Sequence, residues 1–470
     1  MDINIIIESG TQAFKQKFME ICKTSELSTF NSSTVEVLTD AIKQAVASAG
    51  LASFKAAIES NEEPAIAIKR DGKTYRYKYT IKRTFLTLFG EVAIDRRIYQ
   101  HDRGGSSIAP LDERWGMADE FVTLDVQEAV LYSVAHNTPE ETVALLKKCA
   151  LFHPSSTTIK RIANKVGEFY ERNKESIRKV VMCQETIPEN AHALVCSLDG
   201  TNILLNEKGK RQGRPLERPK ANLTPTDTTA YRNAMVGCLS YYAKRMKDEK
   251  HPERLVSRYV SRMPEEKAMT FKEDVEFEMQ HVLALPQSKD LKKILLMDGQ
   301  RSLWKYVDGT SLYDGFERLI DFYHTTEHLS KAAEALFGKD SLDAKEWFGK
   351  YRENLLENND APNAIIRSMY YYRDVLRLTK CRKTALKAEL TYFQNNKSKM
   401  LYADFLKRGL PIGSGPVEAA CKSVVKTRLG RSGMRWSRKG GQNILVFRAY
   451  VKSDRWENCW AAFKQLRLAA

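Results

Sequence analysis

The stretch ALVCSLDG, residues 193–200, leads an apolar run into Asp199. ILLMDGQ, residues 294–300, does the same with Asp298. Short apolar runs bounded by Gly read as strands. Outward from these two lie further strand-like runs, AMVGCLSYYA at 234–243 and RLVSRYVSRM at 254–263, and between them and ILLMDGQ a helical pattern near Lys267–Leu285. The second aspartate's strand spans Lys293–Met297; a helix with Leu303 and Trp304 and a fifth strand, Arg318–Tyr323, follow. Asn206–Arg232, rich in Gly, Pro and Thr, reads as a long mobile loop.

Three strands, a helix, a strand, a helix and a strand is the order of an RNase H-like mixed-sheet core. In that order the first and fourth strands are neighbours about 4.8 Å apart. The predicted fold is therefore α/β and multidomain, with boundaries set by changes of pattern. Residues 1–70 form a helical N-terminal region, and 71–118 a basic β-hairpin module with its turn at Gly90. Residues 119–185 carry three helices in close order, a helix-turn-helix-like array with N-caps at Thr138 and at Ser155 or Ser156. The core's first part is 186–324, an all-helical insertion is 325–408, and the last core helix with a helical tail, Ile444–Leu466, is 409–470.

Lys and Arg total 75 against 59 Asp and Glu, a net charge of +16 that favours a polyanionic partner, most commonly nucleic acid. No window approaches the roughly 18 uninterrupted apolar residues of a membrane span, and the acidic N-terminus lacks a basic leader. The expectation is a cytoplasmic, nucleoid-associated protein. Eight scattered cysteines without a C-x-x-C pair read as reduced thiols, supporting neither a disulfide framework nor a structural zinc site.

A third carboxylate, Glu418, opens a helix in PIGSGPVEAACKSVVKTRLGRSGMRW, residues 411–436. Taken singly, each aspartate is explained by a turn after a strand, and Glu418 by the helix dipole or by pairing with Lys422. Together the three carboxylates suit two magnesium ions about 3.5–4 Å apart, which stabilise the entering and leaving oxygens of a phosphodiester. Manganese is the expected substitute. Lys422, Lys426, Arg428, Arg431, Arg435 and Arg438 follow Glu418 and are read as contacts to DNA phosphates, as are Lys160 and Arg161 on the third helix of the array. Val417, Ala420, Cys421 and Val424 form the stripe that packs Glu418's helix on the sheet. Trp304 suits the core better than a flipped base.

SLDGT at 197–201, MDGQRSLW at 297–304, IDFYHTTEHL at 320–329, GLPIGSGPVEAACKSVVKTRLGRSGMRW at 409–436 and PLDERWGM at 110–117 resemble the signature blocks of ISKra-type insertion-sequence transposases, of the DDE group with an RNase H-like fold. The resemblance spans roughly Phe85 to the C-terminus. It implies Asp199, Asp298 and Glu418 as catalytic and metal-binding residues, with Asp321 and His324 of a D-x-x-H motif supporting them. It also implies cleavage at terminal repeats, joining to target DNA, and a dimer or larger active assembly. Relatives carry paired cysteines around the hairpin near Tyr75–Tyr99, where this chain has Thr, Tyr, Gln and His. The same module without its metal is expected. Two rival readings are a domesticated DNA-binding protein that does not cut, and a structure-selective nuclease of the same fold.

Overall fold

A computed structural model describes residues 2–24, 31–101, 104–207, 230–246, 249 and 251–469. Most of the Asn206–Arg232 loop lies outside the described residues. The chain divides into two units, Met1–Ile177 with Trp460–Ala470, and Arg178–Cys459. Among the described residues no helix is long and apolar enough to cross a membrane.

The first unit opens with helices α1 (Ile3–Thr24) and α2 (Ser32–Glu59). Asn31 caps α2 in a reciprocal box with Thr34. Where one hairpin is predicted, the structure has a four-stranded antiparallel sheet, β1 (Ala67–Arg70), β2 (Lys73–Thr87), β3 (Gly90–His101) and β4 (Ser107–Ile108). Asp71 and Gly72, with φ of 49° and 72°, make the two-residue turn that adds β1. Helix α3 (Pro110–Arg114) follows, and Trp115 beyond it sits edge-on to Phe85 with ring centroids 4.7 Å apart. Three helices come next: α4 (Leu124–His136), α5 (Pro139–Cys149) and α6 (Ser156–Cys183). The predicted caps are in place: Thr138 forms a box with Glu141, and Ser155 Oγ accepts from Thr158 N at 3.1 Å.

The second unit is built on a mixed sheet of β5 (Ala191–Leu204), β6 (Tyr231–Ala243), β7 (Arg254–Arg262), β8 (Lys292–Met297) and β9 (Glu317–Ile320). Their spatial order is β7-β6-β5-β8-β9, antiparallel from β7 to β5 and parallel from β5 to β9. Both faces are covered. Leu194, Cys196, Leu198, Leu295 and Met297 share a core with α7 (Met269–Ala284) and α8 (Arg301–Asp308). Ala193, Val195, Ile294 and Leu296 point the other way, into α9 (Phe322–Phe337), α10 (Leu342–Glu357), α11 (Ala361–Val375), α12 (Lys380–Asn396) and α13 (Tyr402–Lys407). Two-sided burial is why these strands read as unbroken apolar runs rather than alternating ones.

Two expected boundaries move. The fifth strand stops at Ile320 instead of Tyr323, because the Asp321 side chain accepts from His324 N and starts α9. The single C-terminal helix is two, α16 (Arg438–Lys452) and α17 (Trp456–Ala469), once α14 (Gly415–Ala420) and α15 (Thr427–Leu429) have been counted. Asp454, at φ 56°, breaks the run, and the following Arg455 ties the break to Glu278 at 3.0 Å and to Glu185.

Candidate active site

Register sets the aspartates at one level of the sheet. Val195 pairs with Ile294 on the parallel strands β5 and β8, so four residues further along each lie Asp199 and Asp298. Met297 pairs with Ile320 on β8 and β9, so the next step along both reaches Asp298 and Asp321. Three aspartates thus stand at one level on, or just past, three adjacent parallel strands. Asp199 is not at a strand end as predicted: β5 continues to Leu204, and Asp199 pairs with Val236 inside the ladder. An Asp-Gly turn therefore does not account for it.

Pairing with Val236 also places the Asp199 side chain on the face where Val236 packs against Glu418's helix. Val417, Ala420, Cys421 and Val424 are buried there, the stripe the sequence foretold. Beyond α14 the backbone widens into a π-helical segment, Cys421–Lys426, before α15. Cys421 Sγ donates to Asp199 Oδ2 at 3.3 Å, and burial followed by the Asp199 charge pushes its thiol up.

Asp298 Oδ1 accepts from Gln300 N at 3.0 Å, and its main-chain oxygen accepts from Trp304 Nε1 at 2.6 Å. Trp304 is buried, a core residue that anchors the aspartate's backbone. Burial, then the charges of Asp199 and Asp321, hold the Asp298 carboxyl above its ordinary range, against the opposing Gln300 hydrogen bond and His324. Asp321 is fully buried and bonded on both oxygens, Oδ1 by His324 N at 2.8 Å and Oδ2 by Ser414 N. It thereby joins the start of α9 to the approach of α14. His324 Nε2 lies 3.7 Å from Glu418 Oε1, and its Nδ1 lies 3.7 Å from Glu327.

Sequence reading missed one participant. Tyr392, on α12, stacks on His328 with centroids 3.5 Å apart and covers Gly299, where a Cβ would fall 2.6 Å from the tyrosine ring. The residue after Asp298 must therefore be glycine for the helical region to back the site. Among the described residues, no three His, Cys, Asp or Glu side chains stand close enough together to hold a metal ion.

The basic residues sort by exposure. Lys422, Lys426 and Arg435 are exposed, whereas Arg431 is half-buried and donates to Thr427 O. Arg438 is engaged by Glu207 at 2.6 Å and by Pro264 O. Arg428 departs from expectation: it is fully buried with its guanidinium over the Trp436 ring, so it presents nothing to a phosphate. In the first unit, Lys160 is exposed and pairs with Glu140 at 3.3 Å, and Arg161 lies 3.4 Å over the Phe121 ring.

No family model matches the chain, and no curated protein matches it. Among solved structures, the Drosophila P element transposase strand transfer complex is similar at 12% identity, over 76% of this chain and 83% of that one, with a TM-score of 0.23. At that score the likeness assigns neither fold nor activity.

Proposed function

We propose that this chain is a DNA transposase of an insertion sequence, with an RNase H-like core and a DDE-type site at Asp199, Asp298 and Glu418. The observation that carries this reading is the register that sets Asp199 beside Asp298 on adjacent parallel strands, with Glu418's helix packed on the same face. The sheet order supports it, since the first core strand, β5, lies beside the fourth, β8, the adjacency the RNase H-like reading requires.

The donor chemistry suits a hard divalent cation, since all three groups offer carboxylate oxygens, but holding one requires these side chains to close from the separation they have here. Asp199, Asp298 and Glu418 would hold magnesium, or manganese in its place. When bound, such ions polarise the phosphodiester and activate the attacking water or 3′ hydroxyl. The chain's own part is placement. Asp321 fixes both His324 and the approach to Glu418, Trp304 fixes the Asp298 backbone, and His324 offers Glu418 a partner. Lys422, Lys426 and Arg435 supply positive charge close in sequence to Glu418 for the DNA backbone. The helix-turn-helix-like array α4–α6, with Lys160 and Arg161, would read the terminal repeats. Two ends joined in one reaction call for at least two copies of the chain.

The test is incubation of purified protein with DNA carrying the element's own ends, with magnesium or with EDTA, beside Asp298→Asn and Glu418→Gln. Magnesium-dependent cleavage and joined products, lost in both variants, support the reading. Tight, salt-sensitive binding without cleavage under any metal overturns it in favour of a DNA-binding protein that does not cut.

A further inference from the structure

Helices α1 and α2 run antiparallel, because the start of α1 meets the end of α2. Ser53 Oγ donates to Ile6 O at 3.1 Å, and a Cβ on Gly10 would fall 2.1 Å from that hydroxyl. Small side chains let the backbones come this close, and Ala41 and Ala45 of α2 are fully buried. α1 packs chiefly on α2, and α2 in turn on β3 and the Phe89 turn before it, where Gly50 meets the Phe89 ring.

One open side of this pair is apolar along its length. At 3.6 residues per turn, Ile3, Ile7, Phe14 and Phe18 fall on one stripe of α1, about 70° round from the Ile6 and Gly10 edge. Val35, Ile42 and Val46 fall on one stripe of α2, about 100° round from Ala41 and Ala45 in the same sense. In an antiparallel pair those two turns lead to the same side. Ile3 and Ile7 are 63% and 59% exposed, and Val35, Ile42 and Val46 are 42%, 48% and 44% exposed. Phe14 and Phe18 stack on each other with centroids 5.8 Å apart and are half-buried. Thr11, Thr39 and Ala49, which fill the rest of this side, carry no charge either. Charged residues make up 29% of the chain, so a side of two helices without one calls for a cover other than water.

We propose that this face is where two copies of the chain meet, helix pair on helix pair, in a symmetric four-helix contact. With α1 22 residues long, the pair presents a face roughly 33 Å by 20 Å, on the order of 700 Å². That is close to the roughly 800 Å² that each partner of a stable complex buries. Monomers rarely leave so large an apolar side open to water. Charge selects the occupant. At +16 each, two copies repel one another, and a side without charge is where they approach at the least Coulomb cost. The same lack of cations leaves DNA phosphates nothing to pair with there. The transposase reading calls for two copies and this face would join them, yet the inference does not rest on that reading.

The full-length chain is measured by sedimentation equilibrium, without DNA or metal, in about 0.1 M and about 1 M salt. A dimer at micromolar concentration is expected, tightening with salt, because salt screens the repulsion and leaves the apolar contact in place. Ile7→Lys and Ile42→Glu each set an unpaired charge in the face and should weaken the dimer on the order of a hundredfold. Ile5→Lys puts the same charge on the far side of α1, at a 49% exposed position, and should leave the dimer as it was. All three positions are exposed, so helical content should be unchanged by circular dichroism. A monomer throughout, a dimer that dissociates as salt rises, a dimer that survives both face variants, or equal loss in all three variants overturns the proposal. Since neither DNA nor metal is present, each of these results is separate from success or failure of the cleavage test.

Discussion

Asp298 sits where like charges crowd. Burial and its neighbours Asp199 and Asp321 raise its carboxyl pKa, so over a window above the ordinary aspartate range the folded chain keeps a proton that the unfolded chain has released. Its contribution to stability is neutral at low pH, where both states are protonated, and becomes unfavourable as pH rises through the raised value. Asp298→Asn removes that penalty. It should raise stability by about 0.5–2 kcal/mol near neutral pH, with little gain near pH ~4, as melting at the two pH values would show. Cleavage should fall in the same variant by more than the roughly 10–100-fold that an outer-shell partner is worth. Asp321 behaves oppositely, because both its oxygens are bonded and it is fully buried. Asp321→Asn loses one acceptor and should cost about 1–3 kcal/mol. Cleavage should also drop, since the approach to Glu418 loses its tie, and a stable variant with full cleavage would refute that positioning role.

At the scale of elements, the contact between the helical region and the sheet depends on Gly299. A Cβ there meets the Tyr392 ring at 2.6 Å, so Gly299→Ala must displace either α12 or the Asp298 turn. A loss of about 1–3 kcal/mol is expected, the usual cost of overpacking. Tyr392→Leu, which relieves the clash, should restore part of it, and denaturant unfolding of the single and double variants measures the coupling. The same region shows what could be read in advance. The apolar runs around Asp199 and Asp298 gave away β5 and β8 because two-sided burial leaves no polar positions in them. Glu418's stripe was legible because a helix on a sheet needs one apolar face. The end of β9 was not, because RLIDFY satisfies a strand pattern until Asp321 caps a helix, and that choice depends on Ser414, far along the chain. β1 was overlooked although Asp71-Gly72 is a hairpin signal, since the strand it adds has four residues and almost no buried face. Arg428 looked like its exposed neighbours because the π-helical segment shifts the helical phase just before it, turning its side chain inward.

Across the whole molecule, the charge of +16 predicts DNA binding that weakens steeply as salt rises, but it does not say which cations matter. Exposure does. Lys422 and Arg435 stand free of burial beside the carboxylates' helix, so each change to alanine should weaken duplex binding and flatten the plot of log affinity against log salt by about 0.9. Stability should change little, because exposed charges contribute at most about 1 kcal/mol. Arg428 has the same formal charge and the opposite fate. Fully buried against Trp436, it belongs to the fold, so Arg428→Ala should lower the melting temperature while leaving the salt slope of the folded protein where it was. Fluorescence anisotropy across a salt series, run beside thermal melts of the three variants, separates the two roles. A slope that shifts with Arg428 and not with Lys422 or Arg435 would mean that the DNA path requires this segment to rearrange from the conformation described.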